Sequence, residues 1–342
     1  MTTQLYTTNR INWIDWAKVI AIGFVVFGHI PQERGDFLIG YICTFHMPFF
    51  FMLSGYLSKG STDTRANMKK HWYSLIVPYI FYNIIFYPYW IARYILDGHG
   101  DISLFEMVVR PCLGPLFLQI ETPISVNLNG VTWFLAVLLT MRIILNVCYR
   151  FKHPRKLLVL TAIVMVLLNI VATYHQTFES FYMKGILRCY PFYILGFFLK
   201  KDSLLERYII KNDTVSALFF YFLSISMYLI GVSHFFGGYE RILLTYLIEI
   251  TGCLAVIYTC RLFDGHTSSF LVTLSSGTVA IMGLHWICIG TINYLLEHLL
   301  GVIDICYSWY VAILLAVAIC LLIYPFIFLA TRYFPAVLGK NK

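Results

Sequence analysis

Three ionisable side chains sit in the first apolar run of the chain, within Ile14-Asp15-Trp16-Ala17-Lys18 and then Phe27-Gly28-His29. An ionisable group inside a bilayer costs several kcal/mol, so it usually faces a bundle interior and marks function. On a helix turning about 100° per residue, Lys18 and His29 lie about three turns apart and align within roughly 20°, and Asp15 falls about 40° from His29 on the other side. The three share one stripe, and the remaining faces carry Ile, Val and Phe. A rise of 1.5 Å per residue separates Lys18 from His29 by about 16 Å along the axis, on the order of the length of a pantetheine arm. A cation at the phosphate end and a deeper imidazole at the thioester end would suit a coenzyme A thioester lying along the helix. Imidazole, with an ordinary pKa of about 6.5, can take a proton from a hydroxyl at neutral pH or accept an acyl group itself. The pattern leaves both roles open. The blander alternatives are an Asp15–Lys18 interfacial pair that snorkels to headgroups and a helix-end histidine wetted by the interface.

The element that must position this stripe is a membrane helix among many. The chain has 342 residues, 59% hydrophobic and 12% charged, against about 25% charged in a soluble domain. So few charges cannot cover a water-facing surface, and most of the surface must face lipid. With about 20 apolar residues per span, the length accommodates about ten spans with short loops and leaves no room for a separate soluble domain. The expectation is an all-α, polytopic integral membrane protein, a single membrane-embedded domain over 1–342. Nine cysteines are scattered without a CxxC pair or metal-ligand spacing, which reads as buried thiols. A net charge of +8 does not call for nucleic acid, because the basic residues sit in loops between spans. No small-residue cleavage site follows the first apolar run.

Apolar segments run at 13–31, 40–58, 73–96, 131–149, 157–174, 185–199, 214–232, 242–260, 270–294 and 307–331, with a long loop at 97–130 whose apolar piece Leu113 to Ile120 could re-enter. With the N-terminus in the cytoplasm, every Lys and Arg falls to the inside except Arg34, Arg93, Arg110, Lys184, Arg188 and Arg241. Insertion energetics keep basic loops inside, so both termini are expected in the cytoplasm of a bacterial inner membrane. Tyr and Trp crowd the span ends as an interfacial belt.

Arg10-Ile11-Asn12-Trp13-Ile14-Asp15-Trp16-Ala17-Lys18 followed by Gly28-His29 resembles the first helix of the membrane acyltransferase-3 family, most nearly its fucose 4-O-acetylase-like branch. A basic residue, ten intervening residues and a histidine form that family's signature; Lys18 stands where many members have arginine, which keeps the charge but loses a bidentate fork. The second segment agrees: Phe45-His46-Met47-Pro48-Phe49-Phe50-Phe51-Met52-Leu53-Ser54-Gly55-Tyr56 is similar to the family's Phe-rich run ending in Ser-Gly-Tyr. Looser likenesses are Lys69-Lys70 before Val77-Pro78-Tyr79, Trp133-Phe134-Leu135, and Leu274-Ser275 to Leu284-His285. The resemblance implies transfer of an acyl group, most simply acetyl from acetyl-coenzyme A, to a hydroxyl of a surface glycan or lipid-linked sugar. His29 and Asp15 are then the candidate catalytic residues and Lys18 the first candidate donor-binding cation; Arg188, singled out as a buried cation and not by the resemblance, is the second, and could bind an anionic donor or a sugar.

Supporting candidates are His46, Ser54, Trp133, Glu249 and His285. Ser54-Gly55 permits close helix approach. Glu249 has no basic residue within two helical turns, so its partner must come from another helix, and Arg188 is the obvious one, as a structural pair or in binding. His46 and His285 serve as packed hydrogen-bonded histidines, and Trp133 either belongs to the belt or stacks on a sugar. No Walker loop, HExxH, GxSxG or GxGxxG after a strand is present, and a metal is not required. Two rivals remain from composition alone: a secondary transporter using Asp15, Glu249 and the histidines as a proton relay, and a sensor or scaffold without catalysis.

Overall fold

The computed structural model describes residues 11–33, 35–97, 103–177, 180–207, 212–232, 238–302 and 304–340. Arg10, Arg34, Lys211 and Lys342, used above for the motif or the charge pattern, lie outside the described residues. Among the described residues there is no strand, only two isolated bridges. The long helices are α1 Asn12–His29, α2 Phe37–Tyr56, α3 Thr64–Leu96, α4 Trp133–Cys148, α5 Pro154–Tyr174, α6 Phe181–Lys201, α7 Asp213–Val232, α8 Gly238–Arg261, α9 Thr278–Leu300 and α10 Trp309–Tyr333. Each apolar segment in the sequence falls on one of them except 270–294, which is divided at Gly277 between the short helix Ser269–Ser276 and α9. Eight are long and apolar enough to cross a membrane; the other two, α1 and α6, carry Asp15, Lys18, Lys184 and Arg188, so polarity and not length separates them. A stretch of apolar residues in lipid has no choice but helix, because every backbone N–H and C=O must find its partner inside the segment.

Helix α1 is central. It packs against α2, α8, α9, α10 and the short helix Ser269–Ser276, and Ala17, Ala21, Ile22 and Val26 are fully buried on it. Its start is tied down from the far end of the sequence: Trp13 N–H donates to Asp264 Oδ1 at 2.9 Å, and Trp16 Nε1 donates to the His266 carbonyl at 2.8 Å. At the rim, α5 and α7 are only 11% and 17% buried over their apolar windows and present bare Leu, Ile and Phe outward.

Helices α2 and α6 cross backbone against backbone. A Cβ added at Gly55 would strike the Tyr193 carbonyl, and one added at Gly196 would strike that of Met52. These reciprocal glycines let the two backbones touch, the usual device for helix association in lipid, and Gly55 acts as its place beside Ser54 predicts. Both helices also contain an internal proline, Pro48 and Pro191.

The 97–130 loop does fold back into the bundle. Gln119, 5% exposed, donates through Nε2 to Asn83 Oδ1 at 2.7 Å and to Thr132 Oγ1 at 3.0 Å, and its Oε1 accepts from Leu128 N–H at 2.9 Å. Tyr79 Oη closes the loop onto α3 by donating to the Pro115 carbonyl at 2.7 Å. Buried amides so fully partnered are rigid, and this network fixes the turn Gly130–Thr132 that opens α4.

Candidate active site

Asp15, Lys18 and His29 open onto two cavities that meet inside the bundle. The larger, of about 590 Å³, lies at the Lys18 end and is lined by Asp15, Lys18, Ser54, Arg142, Lys200 and Lys340 among others. Asp15 is 3% exposed and accepts from Ser275 Oγ at 2.5 Å, which joins α1 to the short helix Ser269–Ser276. Arg142 is aimed into this vestibule by Ser74, whose Oγ accepts from Nη1 at 2.9 Å. Lys200 stands 5.3 Å above the Tyr56 ring. Four cations and one carboxylate around a cavity favour an anion with several charges.

The smaller cavity, of about 30 Å³, is lined by His29 and by Ile22, Val25, Met47, Val131, Trp133 and Met282. Phe50 and Phe134 line both spaces and stand edge to face at 5.2 Å between ring centroids. They form the partition between the basic vestibule and the imidazole chamber.

Within the chamber His29 Nδ1 lies 2.7 Å from the Val25 carbonyl. A carbonyl oxygen can only accept, so Nδ1 carries the hydrogen and the lone pair of the neutral ring sits on Nε2. His285 repeats the arrangement, with Nδ1 donating to the Ile281 carbonyl at 3.0 Å; its Nε2 is buried without a partner among the described residues, and its ring centroid is 4.9 Å from that of His29. Trp286 adds an edge-on contact to His29 at 5.6 Å. His46 approaches from α2: a Cβ on Gly28 would lie 4.0 Å from its Nε2 and 3.3 Å from Cys43 Sγ. Three imidazoles from α1, α2 and α9 therefore converge on one level of the bundle.

The remaining sequence candidates divide by position. Ser54 lines the vestibule but spends its hydroxyl on the Phe50 carbonyl at 2.9 Å. Trp133 lines the chamber, its ring packed on Gly185, and so lies inside the bundle. Glu249, 1% exposed, is paired with Arg188, the partner expected from another helix. Arg188 lines neither the vestibule nor the chamber; it borders two further cavities at the opposite end of the bundle from Lys200, more than three turns away on α6. The sequence reading did not single out Arg142, Lys200 or Lys340, and named Ser275 only within the looser likeness Leu274-Ser275. Arg142 did carry a signal, an ionisable residue in the apolar run Leu138 to Leu145, but it was absorbed into the topology count. Among the described residues no three His, Cys, Asp or Glu side chains are placed to hold a metal ion.

A bundle of apolar helices that encloses an oriented imidazole beside a basic vestibule is a multi-pass membrane protein with an internal chemical site. The chain belongs to the acyltransferase-3 family: that family's model, described as an acyltransferase domain, matches residues 11–332. No curated protein and no solved structure matches it.

Proposed function

We propose that this membrane acyltransferase moves an acetyl group from acetyl-coenzyme A to a hydroxyl of a cell-surface glycan or its lipid-linked precursor, in a bacterial inner membrane. It would do so as one membrane domain of ten spans with both ends in the cytoplasm. The observation that carries the reading is the pair of cavities on the α1 stripe. Lys18 faces a vestibule large enough and basic enough for the phosphates of coenzyme A, and His29, about 16 Å further along, faces a chamber that suits only a small apolar acyl group. The first-helix likeness to fucose 4-O-acetylase-like proteins supports a sugar hydroxyl as acceptor.

In this reaction the phosphates rest among Lys18, Arg142, Lys200 and Lys340, and the thioester passes between Phe50 and Phe134. His29 Nε2 removes the proton of the acceptor hydroxyl as its oxygen bonds to the thioester carbonyl carbon. The tetrahedral adduct collapses with cleavage of the C–S bond, and the imidazolium returns its proton to the departing thiolate, leaving an ester, free thiol and neutral His29. The alternative order uses the same lone pair as nucleophile: Nε2 takes the acetyl group, thiol leaves, and the acceptor then removes the acetyl from nitrogen. Asp15, held by Ser275, places the first turn of α1 and hence Lys18.

The test uses native-host membranes and radiolabelled acetyl-coenzyme A. The wild-type protein should release free thiol and pass label to membrane or glycan material. His29→Ala should lose on the order of 10²–10⁴-fold of that rate, the usual contribution of a positioned acid–base group, at unchanged abundance and detergent elution. Normal labelling by His29→Ala would overturn the mechanism. A burst of thiol before any acceptor is added would select the acyl-imidazole order.

A further inference from the structure

A buried carboxylate that the chemistry above does not use stands at the other end of the bundle. Glu249 on α8 is 1% exposed, and its Oε2 has no partner among the described residues. Its Oε1 accepts from Arg188 Nε at 2.7 Å and from Nη2, and Nη2 also donates to the Thr44 carbonyl at 2.9 Å. Taking both charges out of water costs several kcal/mol per ion, and a buried pair often fails to repay it. What the pair does achieve is orientation. The guanidinium is clamped on two sides, Nη1 has no protein partner among the described residues, and the side chain is still 41% exposed.

That exposed portion faces two adjoining cavities. One, of about 600 Å³ between α5 and α6, is lined by Asn169, Thr173, Gln176, Lys184 and Arg188. The other, of about 310 Å³, is lined by Thr44, Arg188, Arg241 and Thr245 among α2, α6, α7 and α8. Glu249 offsets Arg188, but among the described residues neither Lys184 nor Arg241 has an acidic partner. Both cavities therefore carry net positive charge. The topology of insertion does not account for it, since Lys184, Arg188 and Arg241 are half of the six basic residues that fall on the translocated side in the ten-span reading. Thr44, which holds Arg188, precedes His46 by two residues, and His46 and Cys43 abut Gly28 beside His29. Cys43 itself lines the smaller cavity. The cavity of about 310 Å³ thus reaches Cys43, which abuts Gly28 beside His29, and Arg188 connects it to the larger one. The larger one opens beside α5, the helix least buried in the bundle, so a ligand there can leave its apolar part in the bilayer.

We propose that Lys184, Arg188 and Arg241 form a phosphate site that seats the phosphate of a membrane-borne acceptor. Calling the ligand the acceptor rests on the acyltransfer reading; the phosphate site does not. A phosphate offers three oxygens to two cations one turn apart on α6, Lys184 and Arg188, and to Arg241 from α8, and an immobilised guanidinium meets it without further ordering. Neutral glycans need no such cluster.

The experiment is calorimetric titration of the full-length protein in dodecyl maltoside, a neutral detergent that itself serves as the control amphiphile. Dodecyl phosphate should bind saturably, and inorganic phosphate at least tenfold more weakly. Lys184→Gln with Arg241→Gln should weaken dodecyl phosphate at least tenfold; both positions are exposed, and an unchanged melting temperature establishes folding. Arg188→Gln would strand Glu249, so it is read only together with Glu249→Gln, where the loss should recur. No saturable binding, or wild-type affinity in the Lys184/Arg241 double variant, overturns the site. Equal affinity for inorganic phosphate overturns its membrane-borne half. Thiol release from acetyl-coenzyme A by the same preparation reports on acyl transfer separately, so dodecyl phosphate binding without thiol release keeps this site and removes only the name acceptor.

Discussion

In the proposed reaction Lys18 and His29 would divide the work between affinity and chemistry, and their variants should separate accordingly. Lys18 lines the vestibule and never reaches the chamber, so Lys18→Ala should raise the KM for acetyl-coenzyme A about tenfold, equivalent to about 1.4 kcal/mol, with kcat within about twofold. Arg142→Gln should act in the same direction, and the KM difference from wild type should shrink as salt is added, since screening weakens the lost contacts. An equal loss in kcat for Lys18→Ala would place the cation at the reacting atoms instead. How much of this site could be read beforehand follows from geometry. The Asp15, Lys18, His29 register is intrahelical, fixed by 3.6 residues per turn, and so is legible in one segment. Arg142, Lys200 and Lys340 come from three other parts of the chain, and their convergence on Lys18 depends on which helices are neighbours. No single segment encodes that. Arg188 is a different case: the charge pattern already put it on the translocated side, and grouping it with Lys18 as a donor cation took no account of that.

Two contacts between elements govern the shape of the passage. The first is the Phe50–Phe134 partition, where α2 meets α4. Removing one ring joins vestibule and chamber, so Phe50→Ala should admit water to the thioester. The expected outcome is a rise of severalfold in thiol release without acceptor, together with a lower yield of labelled product per thiol. Unchanged coupling would show that the rings do not separate the two spaces. The second is the glycine crossing of α2 and α6. A methyl at Gly196 would run into the Met52 carbonyl, and backbone cannot step aside as a side chain can, so Gly196→Ala should cost about 1–3 kcal/mol and lower the melting temperature in detergent. At this scale the hydropathy pattern was informative, since every long helix lies on an apolar segment, and Ser54-Gly55 announced a close crossing. The partner of that crossing was not announced, because helices in lipid are apolar on all sides and their moments do not point inward. The tuck of the 97–130 loop was half legible. The apolar piece Leu113 to Ile120 suggested re-entry, but the decisive residue is a polar one, Gln119, matched to Asn83 and Thr132 across the bundle.

Across the whole molecule the vestibule and the Arg188 cavities open at opposite ends of the bundle, with the imidazole level between them. Two substrates that enter from opposite ends need not compete for one mouth, and the donor's bulk can stay on its own side. In the proposed reaction only the acyl group would have to cross the ring partition. The size of the chamber then limits what crosses. At about 30 Å³ with walls of Ile22, Val131, Met47 and Met282 and no charged side chain except the His29 imidazole, it matches acetyl in the proposed reaction better than a succinyl group, whose carboxylate is costly to bury without a cation beside it. Met282→Ala should therefore let propionyl- and butyryl-coenzyme A be used at rates approaching that of acetyl, with succinyl still refused. Sealed membrane vesicles test the two-sided arrangement directly. In inverted vesicles, which expose the inner face, added acetyl-coenzyme A should release thiol and deposit label on material protected inside. In right-side-out vesicles the same reagent should give neither until the membrane is permeabilised. Thiol release from intact right-side-out vesicles would mean that the Lys18 vestibule faces the other way, and the ten-span orientation with cytoplasmic ends would fall with it.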